Sequence, residues 1–405
     1  MKTKQVSLAI LASMTLFACN NNDDLNVQGV DNAPKTVVMK LDGFSNLSRS
    51  TDAPTTDDSG TGAKTHAVSV SDIAVILYDA NGNIYKYDPI TVDDTENSAW
   101  DQITSETGRK YEGVDPNVDR VMVIGNTSTI SGLATTAAVG EEISKVKALT
   151  IDLKSQNQAG TGDDKTTKGN LTLYGDAELT RDYDQETTNN DGIEVYSAHV
   201  DILPLIARVE VKNIKCTFKP DGAPITGISS FDVLGIGIVD YYNQLTLGTQ
   251  AVVENSWMDA KTTSNADGKI LPPSTQETPA DGSYIFCKQT DPDTNWSWAF
   301  DNITGSTLTS TGNENDVQTV EKTFAYNFFP STEIANVRLY LQSNNNDRFV
   351  VTANFNQAPQ RGYIYQFEYA FDETVPGSWD KDQKNVYITV TAVPFTIVDV
   401  TPDFQ

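Results

Sequence analysis

One apolar run near the start of the chain, Thr36-Val37-Val38-Met39-Lys40-Leu41-Asp42-Gly43-Phe44, has the composition of a β-strand. A polar segment separates this run from Cys19, and a Ser/Thr/Asp/Gly-rich segment at residues 50–65 follows it. The second segment has no apolar periodicity, which is typical of a flexible, protease-accessible region. The sequence therefore predicts a first strand set apart from the rest of the fold, with Arg49 exposed behind it.

Residues 1–18 have the features of a secretion signal. Lys2 and Lys4 precede an apolar run at residues 6–17 that is too short to span a bilayer as a helix. The run ends in Leu16-Phe17-Ala18-Cys19, which resembles a bacterial lipobox, and the resemblance implies that Cys19 is lipidated (palmitate) and becomes the new N-terminus. An ordinary secretory signal with a nearby cysteine is the alternative.

Length and charge limit the function classes. The 405 residues suit two domains plus termini, and a hydrophobic content of 38% supplies their cores. The net charge of −26 argues against nucleic acid and anionic lipid head groups as partners, because both would repel this chain. We interpret the charge as a solvated surface.

The sequence predicts no metal site and no cofactor. Cys216 and Cys287 lie in apolar, strand-like runs, where they form either a disulfide or two buried free thiols. Neither histidine lies near a cysteine, so no zinc spacing is present. Asp79, Asn81 and Asn83 have the spacing of calcium ligands, but no bidentate glutamate follows, and a turn is the better interpretation.

Short alternating apolar runs at regular intervals predict an all-β fold. Asn81-Gly82, between two apolar runs, indicates a β-hairpin. The only predicted helix covers residues 139–149, and an acidic loop is expected at residues 182–191. A domain boundary is placed near Pro204, which gives domains at residues 50–204 and 205–405. The other predicted strands are 120–126, 150–153, 171–174, 195–202, 206–212, 230–239, 283–287, 323–329, 337–341, 349–355 and 363–369.

The C-terminal stretch, residues 385–405, has an unusually long strand pattern. Apolar residues of one parity continue past Pro394 and then on to the end of the chain. Fully extended, this tail would reach about 65 Å at roughly 3.3 Å per residue, so it is long enough to cross two domains. A kinked last strand of the second domain is the alternative. The apolar positions are Val386, Ile388, Val390, Ala392, Val398, Val400 and Phe404.

Taken together, these features resemble the fimbrillins, the major fimbrial subunits also called type V pilins. The resemblance implies two tandem transthyretin-like β-sandwich domains and a structural role rather than an enzymatic one. The runs that carry it, besides Cys19, Arg49 and the tail, are residues 72–82, 206–209 and 361–365.

The family also implies a mechanism of assembly. An arginine-specific protease would cut between Arg49 and Ser50, releasing residues 19–49 with the first strand. The strand residues Val37, Met39, Leu41 and Phe44 would leave a groove, and residues 385–405 of another copy would fill it. Arg109 is the other nearby arginine, and the runs around it place it within the folded domain.

The resemblance further implies partners and a location. The partners are copies of the same chain, other fimbrial subunits, the protease, and a receptor on a host or bacterial surface. The lipid would anchor the protein in the cell outer membrane until it enters the fimbrium. Stalk, anchor and tip subunits share this architecture, so a non-polymerising anchor or tip subunit stays open.

Two other functions are possible from the residues alone. Trp296, Trp298 and Phe300 alternate on one strand face, as in surfaces that stack on sugar rings, so an outer-surface glycan-binding lipoprotein is the main alternative; core packing explains the same pattern. An enzyme would need a catalytic constellation, and the 55 acidic residues form no recognisable motif.

Overall fold

The computed structural model describes most of the chain after residue 32. The described residues all belong to one structural unit. They are residues 33–42, 67–93, 95–157, 171–189, 193–219, 227–239, 241–258, 285–288, 305–322, 324–332, 336–355, 358–373, 387–394 and 396–399.

The first half of the chain forms two sheets. Their strand orders are β5-β1-β10-β9 and β11-β8-β6-β3-β4. The strands are β1 (Lys35–Asp42), β2 (Ala67–Val70), β3 (Asp72–Asp79), β4 (Ile84–Thr91), β5 (Arg109–Val114), β6 (Val118–Gly125), β7 (Thr150–Asp152), β8 (Leu173–Glu178), β9 (Thr180–Arg181), β10 (Val195–Asp201) and β11 (Leu203–Pro204). The helices are α1 (Ala99–Thr104), α2 (Leu133–Thr136), α3 (Ile143–Lys147) and α4 (Tyr183–Asn189), with 3₁₀ turns at Thr127–Thr129 and Leu153–Asn157.

The second half forms two further large sheets and a two-stranded sheet of β14 and β16. One has the order β19-β12-β23-β24, with β20 also on β12, and the other has the order β17-β13-β21-β22, with β18 also on β13. The strands are β12 (Ala207–Phe218), β13 (Ser230–Val239), β14 (Tyr241–Tyr242), β15 (Gln244–Thr246), β16 (Trp257–Met258), β17 (Ile285–Lys288), β18 (Thr307–Thr309), β19 (Asp316–Val320), β20 (Phe324–Phe328), β21 (Asn336–Ser343), β22 (Arg348–Asn354), β23 (Tyr363–Asp372), β24 (Tyr387–Pro394) and β25 (Thr396–Asp399). A 3₁₀ turn lies at Glu254–Ser256.

Aromatic rings join the two sheets of the second half. Phe231 on β13 stacks against Phe218 on β12, with ring centroids 6.0 Å apart. The same ring meets the edge of Phe371 on β23 at 5.5 Å. Such pairs add to the stabilisation from buried area. The all-β prediction is confirmed, and these rings form the core between two facing sheets.

The predicted hairpin is confirmed between β3 and β4. The Asp79 carboxylate accepts hydrogen bonds from the backbone N and from Nδ2 of Asn83, each at 2.8 Å. Gly82 has φ +90°, a conformation that L side chains rarely adopt. The cluster of Asp79, Asn81 and Asn83 therefore belongs to the turn of this hairpin.

A polar contact links the two halves inside the core. Nδ2 of Asn327 on β20 donates to the carbonyl oxygen of Gln156 at 2.5 Å. Oδ1 of Asn327 accepts from Nε of the fully buried Arg208 at 2.9 Å, and Glu210 lies 3.8 Å from the Arg208 guanidinium. Burial lowers the pKa of Arg208 to about 10. The boundary near Pro204 stays a prediction, and it falls between β11 and β12.

The helix predictions need correction. The helix expected at residues 139–149 is only α3, and Val139 is 67% exposed. The acidic loop expected at residues 182–191 contains α4 instead. The reason is a cap, because the Asp182 side chain accepts a hydrogen bond from the backbone N of Gln185 at 3.1 Å.

The disulfide question is answered for one cysteine. Cys216 on β12 is a free, buried thiol, and burial raises its pKa. The side chain of Cys287, on β17, lies outside the described part of the chain.

Candidate functional site

β1 is an internal strand. It pairs antiparallel with β5 and parallel with β10, so Val37 lies opposite Tyr111 on one side and Tyr196 on the other. Neighbouring strands lie about 4.8 Å apart, so without β1 two unpaired strand edges would face each other across roughly 10 Å. A gap of that width fits one strand.

Apolar side chains of β1 are buried. Val37 and Met39 have no exposed surface, Leu41 is 3% exposed, and Val38 is 7% exposed. Burying a side chain of this kind stabilises by about 1.5–3 kcal/mol. Val37, Met39 and Leu41 together therefore contribute about 5–9 kcal/mol before the ordering entropy of the strand is subtracted.

Helix α1 contacts β1 and also β4 and β5. Its N-terminus is capped, because Oγ of Ser98 accepts a hydrogen bond from the backbone N of Asp101 at 3.0 Å. Trp100 and Ile103 bury their side chains. This helix was missed from the sequence, although Ser98-x-x-Asp101 ahead of a short apolar pair is a capping signal.

A glycine permits the closest approach to β1. Gly108 lies directly before β5 and has φ +70°. A Cβ atom added to Gly108 would lie 2.8 Å from the carbonyl oxygen of Met39 and 2.9 Å from Cγ1 of Val38. Only glycine fits between β1 and the turn that leads into β5.

The first residue of β1 carries a buried cation. Lys35 is 4% exposed, and its Nζ donates hydrogen bonds to the carbonyl oxygens of Pro116, at 3.1 Å, and Val118. Its Nζ also lies 4.0 Å from the centroid of the Tyr196 ring, in cation–π geometry. Sequence reasoning missed this residue, because a lysine at a strand end is usually exposed.

Carboxylates surround this lysine. Burial lowers the pKa of Lys35, and the charges of Asp119, Glu194 and Asp115 oppose the shift. Oδ1 of Asp119 is buried and has no hydrogen-bond partner among the described residues. Glu194 also pairs with Arg181.

Arg109 lies inside the fold. It is the first residue of β5, and its Nε lies 3.2 Å from Oδ2 of Asp88. The Tyr111 hydroxyl donates to the same oxygen at 2.9 Å, and an Arg109 guanidinium N–H donates to Gln102 at 3.0 Å. Burial, followed by the Asp88 charge, raises the pKa of Tyr111. A protease would have to unfold β5 to reach this arginine.

The C-terminal tail contacts both halves of the chain. β24 pairs antiparallel with β23, with Val390 opposite Phe367 and Ile388 opposite Tyr369, where Phe367 and Tyr369 are both fully buried. β25 then pairs in parallel with β2, with Val398 opposite Ser69. In the described sheets β24 has one partner strand, so it is an edge strand.

The structure places only part of the predicted site. Ile388, Val390 and Ala392 lie on β24 and Val398 lies on β25, and their backbone pairing alone is described. The predicted residues that lie outside the described part of the chain are Cys19, Phe44, Arg49, Ser50, Trp296, Trp298, Phe300, Val386, Val400 and Phe404.

The described residues include neither a metal-binding cluster nor a membrane-spanning helix. They contain no group of three or more His, Cys, Asp or Glu side chains arranged to hold a metal ion. No helix in the described part of the chain is long and apolar enough to cross a membrane.

No family model and no curated protein sequence matches this chain. Solved structures do match. A candidate cell adhesion protein from Parabacteroides distasonis is 14% identical, with a TM-score of 0.49, and the alignment covers 91% of this chain and 98% of that one. A candidate cell adhesion protein from Bacteroides eggerthii is 13% identical, with a TM-score of 0.47 and the same coverage.

A third match is the fimbrial anchor protein Mfa2 from Porphyromonas gingivalis. It is 9% identical to this chain, with a TM-score of 0.38, and the alignment covers 89% of this chain and 99% of Mfa2. These three solved structures are described as those of cell adhesion or fimbrial proteins.

Proposed function

We propose that this protein is a structural fimbrial subunit that polymerises by strand exchange. The observation that carries the proposal is the position of β1, a buried strand with a partner on each side. Its chain connection to β2 passes through Arg49. A single cut there leaves β1 held by non-covalent contacts alone.

The sequence supports the steps before and after the cut. The subunit reaches the outer membrane as a lipoprotein anchored through Cys19, and an arginine-specific protease cuts between Arg49 and Ser50. Residues 19–49 then leave with β1. Residues 385–405 of another copy, or of another fimbrial subunit, enter the groove between β5 and β10.

Tethering explains why the exchange waits for the protease. While the chain is intact, β1 is present at an effective concentration on the order of millimolar, and a free strand at lower concentration does not compete. After the cut this advantage disappears. The two exposed strand edges are then a template for β-augmentation.

The tail is suited to the role of donor. Its alternating apolar residues repeat the pattern of Val37, Met39 and Leu41, so three of them in the same positions give a gross gain of about 5–9 kcal/mol at roughly 1.5–3 kcal/mol each. In the described sheets β24 has one partner strand, so it leaves its own sheet by losing one ladder of hydrogen bonds.

Charges placed on the donor face test the proposal. Val390→Asp is expected to abolish polymer, because it buries a carboxylate in the groove that β1 leaves in the next subunit, and Val398→Asp is expected to weaken the docking of the tail beyond that groove. Thr389→Asp, of the opposite parity, is the matched control and should assemble. Polymer is measured by electron microscopy and monomer folding by thermal melting. Normal fibres from both valine variants would show that this tail is not the donor.

A further inference from the structure

The surroundings of Lys35 have a property that strand exchange alone does not require. When β1 leaves, it takes away the ammonium group that donates to the carbonyl oxygens of Pro116 and Val118. The same departure leaves the Tyr196 ring without this cation. The groove then ends in a site with oxygen acceptors and an aromatic face, which suits an ammonium or guanidinium group.

Acidic residues nearby strengthen the preference of this site for a cation. Asp119, Glu194 and Asp115 all act on the Lys35 ammonium group, and Oδ1 of Asp119 is buried without a hydrogen-bond partner among the described residues. Arg181 offsets part of the Glu194 charge. An apolar residue in place of Lys35 would leave these acids uncompensated, which is costly at a partly buried position.

The chain contains a second segment with the same spacing. In β1 the order is Lys35-x-Val37-x-Met39-x-Leu41, and before the C-terminus it is Lys384-x-Val386-x-Ile388-x-Val390. Residues 385–405 contain no lysine or arginine, so a register shifted toward the C-terminus within this tail brings no such residue to this position.

We propose that the groove end formed by Pro116, Val118, Asp119 and Tyr196 is a cation pocket that sets the register of the incoming strand, and that Lys384 of a neighbouring copy occupies it. The inference rests on the proposed function and adds how the groove selects and aligns the incoming strand. A donor strand without a cation two residues ahead of its first inward residue would enter poorly or slip by two residues. In the proposed register, Thr389 takes the place of Lys40, which lies opposite His199.

Cross-linking tests this register. Full chains starting at Asn20 and carrying His199→Cys are mixed with chains carrying Thr389→Cys, cut with an arginine-specific protease, and allowed to assemble under mild oxidation. The 389–199 disulfide dimer is expected to dominate over the dimer from Thr391→Cys, which reports a two-residue slip. Each single variant alone controls for the native cysteines.

Two further variants then remove one charge each, either the cation of the donor strand or a carboxylate of the acceptor groove. Lys384→Met in the donor is expected to lower the yield of the 389–199 dimer about tenfold, as for the loss of one charged hydrogen bond. Asp119→Asn in the acceptor, which removes a nearby charge and no hydrogen bond to the cation, is expected to lower the yield by less. Lys381→Met, three residues away, should leave the yield unchanged. Equal yields with and without Lys384, or a dominant 391–199 dimer, would overturn the proposal.

The same samples separate this inference from the proposed function. Fibres that form without the 389–199 dimer overturn the register and leave strand exchange standing. The absence of both fibres and cross-links, after a verified cut at Arg49, overturns the donor assignment and the cation pocket together.

Discussion

β1 and β24 are both apolar strands near an end of the chain, and they are held in different ways. β1 has β5 on one side and β10 on the other, with Val37 and Met39 fully buried. β24 has β23 as its single partner among the described strands. An internal strand cannot leave without opening its sheet, whereas an edge strand detaches by losing one ladder. Under the strand-exchange proposal, β1 therefore leaves only after it is cut from the rest of the chain, whereas β24 leaves its sheet without a cut.

The largest expected effect comes from a charge in β1. Met39→Asp should lower the free energy of unfolding of the uncut chain by about 4 kcal/mol or more, because it buries an unpaired carboxylate. Ile388→Asp, in the edge strand β24, is the matched variant and should cost clearly less. Urea denaturation of both proteins measures the difference. Equal losses would show that the two strands are held alike.

A smaller effect is expected where the chain packs against β1. Gly108→Ala should destabilise the protein by about 1–3 kcal/mol, because it adds a Cβ clash with Met39 to the strain of a positive φ. Gly113 has nearly the same φ, +67°, and nothing lies within 4 Å of its added Cβ. Gly113→Ala therefore controls for the strain alone. A similar cost in both variants would mean that the approach of Gly108 to β1 contributes nothing.

The smallest expected effect is a pH dependence in the sheet that holds β1. Hydrogen bonds from Arg181, at 2.7 and 3.2 Å, hold the pKa of Glu186 below its usual value of 4.5. The unfolded chain binds more protons in this range, so the stabilisation is full above about pH 4.5 and is lost as the pH falls through the lowered pKa. Glu186→Gln should be slightly less stable at neutral pH, and the difference should vanish in acid. Thermal melts from pH 3 to pH 7 measure it, and a constant difference across that range would contradict this account.

Local patterns predicted many elements of the fold. β13 has the bounds predicted from the sequence, and the Asn81-Gly82 hairpin is present, because both depend on residues close in sequence. The capped helices α1 and α4 were missed, since each is a single short segment with a weak apolar period. Their caps at Ser98 and Asp182 were the available signals.

Long-range pairing could not be predicted in the same way. β1 pairs in parallel with β10, about 160 residues later in the chain, and no local pattern specifies that partner. The pairing of β25 with β2 is of the same kind. Neither the residue type of Lys35 nor its neighbours in sequence predicted that its side chain would be buried. The apolar alternation of β1 and of the tail, which the strand-exchange proposal requires, was visible in the sequence.

The most direct test uses the full chain from Asn20 and an arginine-specific protease. Mass spectrometry reads the new N-terminus, and size-exclusion chromatography with electron microscopy reads assembly. The account predicts one cut that yields Ser50, loss of residues 20–49 from the folded protein, and growth of filaments. Cleavage elsewhere, or a clean cut at Arg49 after which β1 stays bound and subunits with intact tails stay monomeric, would contradict it.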